Sequence, residues 1–320
     1  MENSTSDVSI ECAICGGPAT PRIVASERMF GWGGSYRYDM CAECGCLQLR
    51  DVPESMESFY PAGYYAFTEL ATPTATRHLY WRIRDAVLFG RARAARALVL
   101  PMLPRRISES GEWLMRSGAG PRSRILDVGC GSGTLVKRLV DAGYPHAEGI
   151  DPFIDADIRY RGRVLVHRAR LEEMEGEFDL LMLHHSLEHI GSQVSTMAML
   201  ARMLAPTGTC LIRVPVVSSY SWEEYQDRWV QLDAPRHLFL HSVESMRRLA
   251  EGAGLRIEEV VYDSKLFQFE GSELYRRDIP LKDAARHPLS RLQRMKYGAR
   301  ARLLNVRKRG DQAAFYLRHM

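Results

Sequence analysis

The stretch ILDVGCGSGTLVKRLVDAGY, from Ile125 to Tyr144, restricts the folds open to this chain more than any other. Ile125 to Val128 form a short apolar run of the kind buried in a parallel strand, and Thr134 to Ala142 carry apolar residues at helical spacing. Gly129, Gly131 and Gly133 lie between them and make the tight turn. A strand, a glycine loop and a helix in that order bring the backbone close to a ligand. Asp151 follows 18 residues beyond Gly133, at the tip of the next strand, where a carboxylate accepts hydrogen bonds from ribose hydroxyls.

The pattern continues downstream. HAEGIDP, VLVHR and FDLLMLHH read as three further strands; a helix from about Gln193 to Leu204 leads through a turn at APTG to a strand at TCLIRVP. Strands alternating with helices over short loops predict an α/β fold, a doubly wound Rossmann-like parallel sheet that binds ligands at the carboxyl ends of its strands. At 320 residues the chain has room for a core and appendages. We expect a segment of residues 1–58, an aromatic and helical linker at 59–120, and the core at 121–320. Hydrophobic and charged contents of 46% and 26% are ordinary for a globular chain, and no apolar run reaches the ~20 residues needed to cross a bilayer. The start, MENSTSDVSIEC, has neither a basic opening nor an apolar signal core, so a cytoplasmic location is expected.

Five of the seven cysteines precede residue 47. In a cytosolic chain such clusters read as metal or redox sites before disulfides. Cys12 and Cys15 form one CxxC, and Cys41 and Cys44 a second after 25 intervening residues. Two such turns present four thiolates to a tetrahedral Zn2+, with Gly16, Gly17 and Gly45 suited to the positive φ of a zinc knuckle. A closed four-thiolate site is structural; two pairs of buried free thiols are the alternative, and Cys46 is a spare cysteine able to replace Cys44. After it, FYPAGYYAF packs aromatic rings around a turn, either as a plug or with Tyr60, Tyr64 and Tyr65 roofing a pocket. Arg77 to Leu103 reads as a basic amphipathic helix, a solvated face or a contact for an anionic surface.

Two cofactor classes suit such a sheet. A dinucleotide loop runs GxGxxG, whereas this one runs GxGxG with Asp127 two residues ahead of the first glycine. That carboxylate repels a diphosphate and attracts an ammonium group. The residues resemble class I S-adenosylmethionine-dependent methyltransferases, whose first motif looks like DVGCGSG, and the resemblance extends over about Arg124 to Tyr262. It implies a seven-stranded sheet and S-adenosylmethionine as cofactor. It places Asp127, Gly129, Gly131 and Gly133 along the methionine part, Asp151 on the ribose, Pro152, Arg170 and Leu171 beside the adenine, and His184 beside the sulfonium, and it counts Cys130 among the cofactor-binding residues. With the cysteine segment, FYPAGYYAF, QFEGSELYRRDIPL and GDQAAFYL, the chain is similar to a narrower bacterial group with an N-terminal cysteine cluster, several members of which act on nucleotide-linked sugars or other glycans.

The sulfonium already activates the methyl group, so the protein must align the acceptor and, where needed, take its proton. HHSLEHI offers His184, His185, Glu188 and His189; LDAPRHLFLH offers Asp233, Arg236, His237 and His241. We rank His237 first as general base, His185 next, with Glu188 and Tyr64 as further candidates. In the sugar C-methyltransferases that the chain resembles, a histidine here follows a TyrxGluHis pattern; the run Ala234, Pro235, Arg236, His237 lacks that tyrosine and glutamate, which favours an oxygen acceptor or a different sugar. Arg236 reads as a holder of an acceptor carboxylate or phosphate, or as a partner of Asp233.

Leu255 to Tyr262 and Ala313 to Leu317 read as the last two strands, an antiparallel hairpin, with an insertion at about 264–310 whose Ser264, Gln268, Glu273 and Tyr275 either suit a hydroxylated acceptor or belong to an exposed connector. Arg286 to Arg309 holds nine Lys or Arg and no acid, which reads as a solvated helix or a contact for a nucleotide- or lipid-linked diphosphate or a membrane surface. The leading expectation is methyl transfer to a sugar, nucleotide sugar or glycan intermediate. A small-molecule O-methyltransferase is a second reading; a zinc-bearing RNA-binding protein is a third, weakened by the near balance of 43 basic and 39 acidic residues.

Overall fold

The computed structural model describes residues 9–61 and 105–320. Tyr64, Tyr65 and the basic run Arg77 to Leu103 lie outside them. By backbone contacts the chain divides into two compact units. One takes in the described residues up to Pro61 with Leu187–Met197 and Arg213–Phe315; the other takes in 105 to Ser186 with Ala198–Ile212 and Tyr316–Met320.

The larger sheet gathers strands β5 (Ile125–Val128), β6 (Ala147–Ile150), β7 (Ile158–Tyr160), β8 (Arg163–His167), β9 (Phe178–His184), β10 (Leu204–Pro215), β12 (Leu255–Tyr262) and β13 (Gln312–His319). Their order is β12-β13-β10-β9-β5-β6-β8-β7. β5 pairs in parallel with β6 on one side and β9 on the other, so the strand order reverses direction at the end of β5. Crevices beside such switch points are where open α/β sheets bind ligands. Ile125, Leu126, Ile150, Leu165 and Leu180 are fully buried, as strands covered on both faces require. Helix α2 (Thr134–Asp141) follows the glycine loop and buries Val136, Leu139 and Val140; α1 (Arg105–Ser117) precedes β5, and α3 (Gln193–Met203) precedes β10.

Two details depart from the sequence reading. The expected seven strands are joined by an eighth, β7, which forms a short antiparallel hairpin with β8 through Arg161 and Gly162, both at positive φ. The turn expected at APTG falls inside the bounds of β10.

The other sheet is five-stranded and antiparallel, in the order β1-β2-β3-β4-β11. β1 (Ile10–Glu11), β2 (Pro18–Glu27), β3 (Gly33–Cys41) and β4 (Leu47–Leu49) come from the cysteine-bearing segment, and β11 (Phe239–Leu240) from far along the chain. The 25 residues between the CxxC pairs are a long hairpin. β2 runs out and β3 runs back, so that Ala19 lies opposite Cys41 and both knuckles fall at one end of the sheet. The same unit contains α4 (Tyr220–Tyr225), α5 (Val243–Gly252), and an insertion between β12 and β13 formed by α6 (Phe267–Arg276), a 3-10 turn at Leu281–Arg286, and α7 (Arg291–Val306).

A buried ion pair ties this unit together. Arg236 is fully buried; its Nη2 donates to Glu27 Oε1 at 2.7 Å and to Asp233 Oδ1 at 2.6 Å, and its Nε to both Asp233 oxygens at 3.0 and 3.1 Å. Nη1 reaches the Phe59 carbonyl at 3.3 Å, and the guanidinium lies 5.5 Å from the Phe30 ring centroid. Glu27 also accepts from the backbone N–H groups of Phe30 and Trp32, closing the turn after β2. Arg236 therefore does not present its donors to an acceptor anion, as one sequence reading had it; they are consumed inside the protein. Removing one partner of a buried pair leaves an uncompensated charge, and Glu27→Ala should lower unfolding stability by about 3–5 kcal/mol in a urea titration. A loss under about 1 kcal/mol would mean that the pair does not hold the fold.

Candidate functional site

In the unit containing the glycine loop, three features define a cradle. Gly129, Gly131 and Gly133 all sit at positive φ, 72°, 53° and 69°. A Cβ on Gly129 would lie 2.5 Å from Ser186 Cβ, and one on Gly133 2.3 Å from Val166 Cγ2, so side chains are excluded by space as well as by conformation. Asp151 secures the loop: Oδ2 accepts from Gly131 N at 2.8 Å and Oδ1 from Phe153 N at 2.9 Å. Gly129 N and Cys130 N donate to the Ile150 carbonyl. Each Asp151 oxygen keeps a further lone pair for a ribose hydroxyl.

Asp127 lies on β5 below this loop. Its Oδ1 is buried and has no hydrogen-bond partner among the described residues. Burial, then the charge of Asp151, push its carboxyl up to about 8. An unpaired buried carboxylate costs free energy until a cation or donor meets it, and the α-ammonium of a methionine tail has that chemistry. The residues present therefore fit S-adenosylmethionine. Burial also raises the Cys130 thiol well above its usual range, which keeps it protonated; its Sγ would lie 2.4 Å from a Cβ on Gly149.

Around the cradle, Pro152 is half-buried, Leu171 is buried, and Arg170 is exposed, its backbone N–H donating to Glu173 Oε2 at 2.7 Å. His184 ends β9 with its ring 4.3 Å from that of Trp113. His185, the second-ranked base, follows in left-handed backbone at φ 53° and belongs to this same unit.

The other unit assembles a compact ionisable cluster. Ligand-type atoms of Glu188, His189 and His237 lie within 4.8 Å of one another. Glu188 and His189 occupy a one-turn helix at Leu187–His189, and His237 follows the Asp233–Arg236 pair. Nδ1 of His237 lies 2.7 Å from the Gln231 carbonyl and Nδ1 of His189 2.9 Å from the Arg236 carbonyl. A carbonyl only accepts, so both Nδ1 atoms carry hydrogen and, in neutral rings, both Nε2 atoms are bases. Tyr60 Oη stands 3.1 Å from His189 Nδ1. His237 Nε2 is 3.9 Å from Glu188 Oε1 and 3.9 Å from Asp233 Oδ2. Burial, with His189 beside it, lowers the His237 pKa to about 4 against the opposing pull of Asp233 and Glu188. Burial also works against ionised Asp233, but Arg236 overcomes it and holds that carboxyl below its usual range.

The structure thus brings together Glu188 and His189 with Asp233 and His237, from two runs well apart in the sequence. It adds Glu27, Gln231 and Tyr38, whose hydroxyl donates to the His237 carbonyl at 2.9 Å, none of which has a sequence signal pointing to the cluster. His241 is buried between Gln193 Oε1 and Ser245 Oγ, each at 3.1 Å, as a structural residue.

The four cysteines of the two CxxC pairs also converge, all sulfurs lying within 4.8 Å of one another. Cys12 and Cys44 sulfurs are 3.6 Å apart and those of Cys15 and Cys41 3.5 Å. Tetrahedral zinc with Zn–S bonds of about 2.3 Å sets sulfurs about 3.8 Å apart, so the set fits the ion. Gly16 N donates to the Cys12 carbonyl and Gly45 N to the Cys41 carbonyl, both glycines at positive φ, which makes two matching knuckles. Cys46 stands outside the set, fully buried.

Among known proteins, a ubiquinone biosynthesis O-methyltransferase of Aromatoleum aromaticum is 33% identical over 108 residues, 30% of this chain and 46% of that protein. The chain thus spans about half the length of that relative. Among solved structures, a cyclopropane synthase of Mycobacterium tuberculosis superposes with a TM-score of 0.45 at 17% identity, over 66% of this chain and 83% of that one. An O-methyltransferase of a Brevibacillus brevis polyketide multienzyme, in complex with S-adenosyl-L-homocysteine, gives 0.42 at 16% identity, over 73% and 79%. A family model described as a methyltransferase domain matches residues 82–260. That match takes in more than half of the chain, the glycine cradle and Asp127 included, and the chain belongs to this methyltransferase-domain family.

Proposed function

We propose that the chain methylates a hydroxyl of a sugar, nucleotide sugar or glycan intermediate, with His237 as the general base. The observation that carries the base is the tautomer imposed by the Gln231 carbonyl, which leaves His237 Nε2 with a lone pair and two carboxylates at 3.9 Å. S-adenosylmethionine, when bound, supplies a methyl group already activated by its positive sulfur. Asp127 would meet the ammonium of its methionine part, and Asp151 would accept from its ribose. His237 Nε2 would accept a hydrogen bond from the acceptor O–H and take its proton. Glu188 and Asp233 then offset the charge of the imidazolium. Arg236 stands where the resembled C-methyltransferases have a glutamate, so the carboxylates beside this histidine come from Asp233 and Glu188. Support for a sugar acceptor comes from the resemblance of the whole chain, cysteine segment included, to glycan-modifying methyltransferases. A small-molecule O-methyltransferase is the second reading, favoured by the Aromatoleum relative.

The cysteine cluster holds one structural Zn2+ in this reading, bound by Cys12, Cys15, Cys41 and Cys44. It is closed by four thiolates and performs no chemistry.

Four measurements check these proposals. His237→Ala should lower kcat by more than about tenfold while the affinity for S-adenosylhomocysteine stays within about twofold, whereas an unchanged rate would transfer the role to His185. Because the His237 pKa lies at about 4, log(kcat/KM) should stay level from about pH 8 down to pH 6 and fall only on approach to 4; an acid limb centred near 6.5 would contradict a buried base. Metal analysis should return about one equivalent of zinc, lost in Cys12→Ser together with thermal stability; under about half an equivalent, with an equally stable variant, would remove the metal. The acceptor class is read from the melting temperature with S-adenosylhomocysteine and a panel of nucleotide sugars. A rise with hydroxylated small molecules alone would favour the second reading.

A further inference from the structure

Helix α7 is held firmly on one side. Tyr297 stacks on Phe269 with ring centroids 4.8 Å apart and planes 13° apart, and the Arg300 guanidinium lies 4.2 Å from the Tyr220 ring centroid. Ala301 and Leu304 are buried, Asn305 exchanges two hydrogen bonds with the backbone of Ser264, and Arg294 pairs with Glu270 at 2.9 Å. These contacts fix the rotation of the helix about its axis.

With 3.6 residues per turn, that rotation sets Leu292, Met295, Ala299, Leu303 and Val306 on one stripe about 80° wide, opposite the buried face. The stripe is bare. Leu292 is 75% exposed, Met295 72%, Leu303 48% and Val306 82%. Lys296 and Arg307 border one edge, Arg291 and Arg302 the other; all four are exposed, and none has an ion-pair partner among the described residues. Scattered apolar residues on a surface need no explanation, but four large ones aligned along a helix and bordered on both edges by unpaired cations do.

The bordering charge decides what covers the stripe. A second copy laid on this face would bring rows of Arg and Lys against each other, since no acid occurs between Arg286 and Arg309. An anionic bilayer answers both features: acyl chains receive the apolar stripe, headgroup phosphates meet the cations, and the long basic side chains extend along the interface. We infer that α7 docks the protein, lying flat, on an anionic phospholipid surface. The inference is independent of the acceptor's identity and of the catalytic assignment.

The full-length protein should be tested by sedimentation with vesicles of phosphatidylcholine alone and of phosphatidylcholine with about one third phosphatidylglycerol. The bound fraction should be about tenfold higher on the anionic vesicles and should fall severalfold between about 0.1 and 0.5 M salt. The double variant Leu292→Ser with Val306→Ser, and separately Lys296→Gln with Arg302→Gln, should each reduce binding about fivefold or more at an unchanged melting temperature. Equal binding to both kinds of vesicle, binding to neither, or variants that bind like the parent would overturn the inference. A dimer in sedimentation velocity that the Leu292 and Val306 substitutions dissolve would also overturn it and give the stripe to a second copy.

Discussion

The guanidinium of Arg236 is a full charge with no exposure to water, and it is tolerated only because Glu27, Asp233 and the Phe59 carbonyl surround it. Burying an ion costs several kcal/mol, recovered only with good geometry and complete hydrogen bonding. Three stretches remote in sequence are therefore committed to one arrangement. His237 is the next residue along the chain, and its carbonyl accepts from the buried Tyr38 hydroxyl. Its ring is thus placed by interactions that belong to the fold. The same burial that makes Arg236 demanding keeps the His237 imidazole uncharged at neutral pH.

The two units handle charge in opposite ways. Around the glycine loop the protein offers mostly backbone, arranged by left-handed glycines and by the two carboxylate oxygens of Asp151. Around His237 it offers side chains whose protonation depends on one another: Asp233 is kept ionised by Arg236, and each histidine is held in one tautomer by a carbonyl. A cradle of the first kind suits a ligand recognised by shape and fixed polar groups. A cluster of the second kind suits proton transfer.

That contrast explains what could be read from the sequence. A backbone cradle needs glycine at set positions, because a Cβ at Gly129 or Gly133 meets Ser186 or Val166, so ILDVGCGSG was legible. The cysteine pairs were legible because two thiolates from one turn have a fixed spacing, and strands such as FDLLMLHH because both faces are buried. The partner of Arg236 was not. Glu27 lies 209 residues away at the end of a strand whose sequence gives no hint of an ion pair, and only the hairpin and the β4–β11 pairing bring it near. β7 was missed because three residues carry too little periodicity, and APTG misled because its proline and glycine are turn residues that here fall within the bounds of a long strand.

The pairing of Gln48 with Phe239 and of Leu47 with Leu240 places nearly two hundred residues between partners in one small sheet. As the chain leaves the ribosome, the cysteine hairpin is available early, yet β4 has an unfilled edge until residue 240 emerges. Until then Glu27 also waits for its guanidinium. The cysteine segment, made well before β11, is completed only once that strand has emerged, and any metal held by its knuckles would steady an open sheet during that interval.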